Sequence, residues 1–64
     1  MDGYKIVYKE PDGTITDTFF GVPVLNFCLT NLSNMDVAML FFVYAHPGCE
    51  MMSIEHCSLE EFRK

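Results

Sequence analysis

Sixty-four residues and 7.3 kDa make one small domain, since a chain of this size has no room for a second core. Half of the residues are hydrophobic and a fifth are charged, which excludes a disordered acidic tail. No apolar run approaches the roughly 18 to 20 residues that span a bilayer, and the start, Met1-Asp2-Gly3-Tyr4, is acidic where a signal peptide would be basic, so a soluble cytoplasmic domain is expected.

Tyr4, Ile6 and Tyr8 alternate with Lys5, Val7 and Lys9, a period of two that predicts a strand. Glu10-Pro11-Asp12-Gly13 carries turn chemistry: Pro fixes φ, Asp bonds nearby backbone and Gly accepts a positive φ. Thr14 to Phe20, with four β-branched residues and two aromatics, predicts the second strand of an antiparallel hairpin. After Gly21, with Pro23 suited to a first helical turn, the residues Leu25, Cys28, Leu29 and Leu32 fall at i, i+3, i+4 and i+7 and predict a helix.

Val37 to Ala45 points two ways. Ala, Met and Leu suit a helix, and Ser33-Asn34-Met35-Asp36 resembles a weak cap before one. Leu40-Phe41-Phe42-Val43-Tyr44, however, is apolar all round, as a buried strand is. His46-Pro47-Gly48-Cys49 fits a type II turn, and Glu50 to Cys57 alternates, so a second hairpin accounts for both runs. Ser58-Leu59-Glu60-Glu61 is a capping box for a short C-terminal helix. The expected fold is α+β: a β-β-α-β-β domain over residues 1–64, with an antiparallel sheet, one packed helix and a C-terminal helical turn.

The formal net charge is −5, and between Glu10 and Phe62 there is not one Lys or Arg. Nucleic-acid binding draws most of its affinity from clustered Lys and Arg on phosphates, and anionic lipid makes the same demand. Neither partner is expected; a protein with a basic surface is.

Three cysteines, Cys28, Cys49 and Cys57, are too few and of the wrong parity for a disulfide framework. His46, Cys49, His56 and Cys57 are zinc-ligand types, but their His-x2-Cys-x6-His-Cys spacing matches no finger or ribbon. In a hairpin, seven or eight residues at about 3.3 Å each part the two halves by more than about 20 Å. No metal or other cofactor is expected, a small metal-binding regulator being the weakest of three functional alternatives. Adjacent His56 and Cys57 point to opposite faces of a strand and make no base–nucleophile pair. The chain shows no phosphate loop, and no catalytic residue is assigned.

Six Phe, three Tyr and five Met are more apolar bulk than a chain of this size, which buries only about 60% of its unfolded surface, readily shelters. An uncovered apolar patch marks an interface, and Met and aromatics are enriched there. Partner contacts are therefore expected from Asp12 and Asp17 at the first hairpin, Glu50 and Glu55 on the last strand, and Phe42 and Tyr44 as aromatic anchors. An obligate homodimer through the hydrophobic block is the alternative.

In size, acidity and the cation-free span from Glu10 to Phe62, the chain resembles the small phage-encoded inhibitors, of which the anti-CRISPR proteins are the most varied group. That resemblance implies a protein that occupies a basic nucleic-acid channel, or blocks assembly of a defence effector complex, in the host cytoplasm. It assigns no role to any single residue.

Overall fold

The alternation in the first twenty residues folds as a hairpin. In the computed structural model, which describes residues 1–25 and 31–64, β1 (Asp2–Lys9) and β2 (Ile15–Gly21) pair antiparallel from Gly3↔Gly21 to Lys9↔Ile15. The turn between them is closed by the Gly13 N–H on the Glu10 carbonyl at 2.8 Å and the Glu10 N–H on the Thr14 carbonyl at 2.7 Å. Asp12 Oδ1 accepts the Thr14 N–H at 2.9 Å, and Gly13 takes φ +94°. Proline leads the turn and a left-handed glycine ends it, as a three-residue hairpin loop requires.

The third strand, β3 (Glu50–Ser58), pairs with β1 on its other side, so the sheet order is β2-β1-β3, antiparallel throughout. Val7 lies opposite Ser53 and Tyr8 opposite Met51, which leaves Met52 as the extra residue of a β-bulge. Tyr4, Ile6 and Tyr8 occupy one sheet face, together with Phe20, Ile54 and Met51 from the neighbouring strands.

The α+β class, the antiparallel sheet, one packed helix and the short C-terminal helix are all present, but the fourth strand is not. Val37 to Ala45, expected as a strand, belongs to the helix α2 (Asn34–Ala45). The strand expectation rested on a run that is apolar all round; α2 is apolar on both its faces, which erases the period that separates helix from strand. What decides locally is the cap. Ser33 Oγ accepts the Asp36 N–H at 3.2 Å and donates to Asp36 Oδ2 at 2.9 Å, and the good helix formers Ala38, Met39 and Leu40 follow. His46-Pro47-Gly48-Cys49 forms its turn, with the Cys49 N–H on the His46 carbonyl at 3.2 Å and Gly48 at φ +83°. It joins a helix to a strand rather than two strands.

α2 lies on the Tyr4–Ile6–Tyr8 face. Ile6, Tyr8 and Phe42 form one buried cluster, and Val37 with Ala38 another that is tied to it through Phe20 and Ile54. The Phe42 ring meets Tyr8 edge-on at 5.2 Å, and Phe20 stacks on Phe41 at 6.1 Å. Burying a side chain such as Phe42 or Ile6 contributes about 1.5–3 kcal/mol.

Of the helix expected through Leu25, Cys28, Leu29 and Leu32, the first turn is α1 (Val22–Leu25); Cys28 and Leu29 lie outside the described residues, and Leu32 stands in a bend rather than a helix, so the long helix packed on the sheet is α2. At the C-terminus the capping box forms as expected ahead of α3 (Leu59–Phe62): Ser58 Oγ accepts the Glu61 N–H at 3.1 Å, and Glu61 Oε1 accepts the Ser58 N–H at 3.4 Å. α3 turns onto the sheet face opposite α2, where Phe62 packs on Phe19 at 5.4 Å between ring centroids. A methyl group on Gly3 would strike the Phe19 ring and the Phe20 carbonyl, so this end of the sheet admits only glycine.

Candidate protein-binding surface

α2 has two faces because 3.6 residues make a turn. Val37, Ala38 and Phe42 point into the core. Asp36, Leu40, Val43 and Tyr44, at i, i+4, i+7 and i+8, fall on the other side, along about 12 Å of helix. That outer face is apolar where a surface helix is ordinarily polar. Leu40 is 59% exposed, Val43 63% and Tyr44 91%. Exposed Leu32 extends the patch past the start of the helix, and Leu32, Asp36, Met39 and Leu40 line a shallow depression there. Asp36 is the only charged residue in α2.

The six residues expected to make partner contacts do not share one surface. Phe42 is 2% exposed and belongs to the core, because the helix turns it inward; it cannot anchor a partner in this conformation. Tyr44 stands on the outer face of α2. Asp17, Glu50 and Glu55 share the sheet face away from α2. On that face Glu55 lies opposite Lys5, with Oε1 3.8 Å from Nζ, and Glu50 lies opposite Lys9. The only two lysines of β1 thus face the two acids of β3, an arrangement that fixes strand register as well as colouring the surface. Asp12 sits at the hairpin tip, where the Thr14 backbone N–H and hydroxyl hold its carboxyl below the usual carboxylate range.

The sequence argument missed Leu40, Val43, Asp36 and Met39 as a surface. The available signal was the unbroken apolar character of a capped segment: a helix hydrophobic all round, in a chain too short to bury it, must show one side to solvent.

The residues with metal- or thiol-type chemistry are engaged elsewhere. The His46 ring lies 4.7 Å from Tyr8 and 5.4 Å from Phe42, and His56 meets Tyr4 edge-on at 5.5 Å. Among the described residues no three His, Cys, Asp or Glu side chains gather closely enough to hold a metal ion. Cys49 and Cys57 are free thiols. Desolvation, reinforced by Glu61 and Glu55, pushes the Cys57 thiol up and away from the reactive thiolate form. No helix among the described residues is long and apolar enough to cross a membrane.

Among the described residues, the most exposed apolar surface is therefore the outer side of α2, on a chain with an acidic excess. Set against protein-family models, curated proteins and solved structures, this chain matches none.

Proposed function

We propose that this chain is a small acidic protein-binding inhibitor that docks through the outer face of α2 on a basic surface of a nucleic-acid-handling protein, as the anti-CRISPR proteins that it resembles in size and charge do. The observation that carries this reading is the row Leu40, Val43 and Tyr44, exposed side by side on a helix that contains no cation. Apolar burial supplies the holding energy, and the net charge of −5 steers the approach. The same charge weighs against a second copy as the occupant, since two such chains repel each other and bring only four Lys and Arg apiece.

The test is site-specific photocrosslinking in the cells that naturally hold the chain, with a benzophenone side chain at position 44, 14 or 53. A partner protein captured from position 44, and not from the hairpin or the far sheet face, is expected. Its association should slow by on the order of tenfold between low and high salt. Adducts only of twice the chain mass would replace this proposal with the homodimer, and no adduct from any position would end it.

A further inference from the structure

We infer that the depression at the start of α2 takes a lysine or arginine side chain from the basic partner, an inference that rests on the docking reading above and gives its contact a chemistry. Among the described residues, the lining consists of the aliphatic side chains of Leu32, Met39 and Leu40 and the carboxylate of Asp36. The Ser33 hydroxyl donates to Asp36 Oδ2 at 2.9 Å and so fixes where that carboxylate stands. A wholly apolar side chain laid here would strip water from Asp36 and return nothing for it. An acidic one would be repelled, and a short cation would leave the aliphatic walls wet. Lysine and arginine alone combine a stem of three or four methylenes with a cationic head. The chain does not fill the site from β1: Lys5 and Lys9 lie on the sheet face away from α2.

The experiment is an NMR titration of the isotope-labelled full chain with n-butylguanidinium, a stem and head without a peptide, against n-butanol and butyrate. Saturable amide shifts centred on Asp36, Met39 and Leu40 are expected from the guanidinium. Binding should weaken about fivefold in Asp36→Asn, the size of one exposed ion pair, and in Leu40→Ser, while Asp12→Asn leaves it unchanged. Both substituted positions are exposed, and asparagine keeps an acceptor for Ser33, so the fold survives each change. Equal shifts from n-butanol, or guanidinium shifts spread evenly over Asp12, Glu55 and Glu60, would overturn the assignment. Shifts at Asp36 that grow with chain concentration in the absence of probe, and vanish in Arg63→Ala/Lys64→Ala, would hand the site to a second copy. If position 44 captures a partner and the titration shows nothing, only the depression loses its role. If the titration succeeds and no crosslink forms, only the docking function does.

Discussion

The two sides of α2 are almost equally hydrophobic and have opposite fates. Val37, Ala38 and Phe42 are enclosed by β1, β2 and β3 side chains, whereas Leu40, Val43 and Tyr44, drawn from the same residue types, face solvent. Composition therefore does not assign a role here; the phase of the helix against the sheet does. Folding uses one side and leaves the other exposed to solvent, the side proposed above to meet a partner.

The sharpest way to break this contrast is on the inner side. Phe42→Ala removes a ring that is almost wholly buried and should cost about 3–5 kcal/mol, which is most of the stability of a domain this small; urea denaturation should find it largely unfolded. Ala38→Leu, at a position with no exposed surface, has no space to occupy and should cost about 1–3 kcal/mol by overpacking, read as a lower denaturation midpoint with an unchanged slope. A Ser58→Ala variant, which removes the cap of α3 and touches neither side of α2, should cost about 1 kcal/mol.

On the outer side the expectation inverts. Leu40→Ser and Tyr44→Ser should each change stability by no more than about 0.5 kcal/mol, yet Leu40→Ser should abolish capture of the partner from position 44. A Tyr44→Ser variant that unfolds would show that the outer face is structural after all. The smallest effect is expected far from the helix. Asp12 has a folded pKa below its unfolded value, so its contribution is complete above the unfolded pKa of about 3.9 and is lost as pH falls through the folded value. The midpoint of thermal unfolding should fall with acidification in that window, and less steeply in Asp12→Asn.

Much of the fold was legible in the sequence because local chemistry and tertiary demand agreed. The alternation of Tyr4, Ile6 and Tyr8, the Pro11-Asp12-Gly13 turn, the Glu50–Cys57 strand and the Ser58–Glu61 box each state one conformation and adopt it. α2 was not legible by periodicity, since period is a contrast and Leu40-Phe41-Phe42-Val43-Tyr44 has none. The weaker signal, Ser33 three residues before Asp36, was the correct one. The site followed from that misreading. Read as a strand, the block put Phe42 and Tyr44 on one face; as a helix, it sends Phe42 into the core and sets Tyr44 beside Leu40. Among the charged candidates, the pairing of Glu50 with Lys9 and Glu55 with Lys5 depends on strand order and a bulge, neither of which a sequence displays.

That bulge at Met52 has its own consequence. β3 borders the sheet, and a straight border strand of nine residues is a template on which further chains can stack without limit. An extra residue at the third position of the strand twists the hydrogen-bonding rim, with Glu50 on one side of the break and Glu55 on the other. A molecule that exposes so much oil on its helix has, along this border, a geometry that discourages fibre growth.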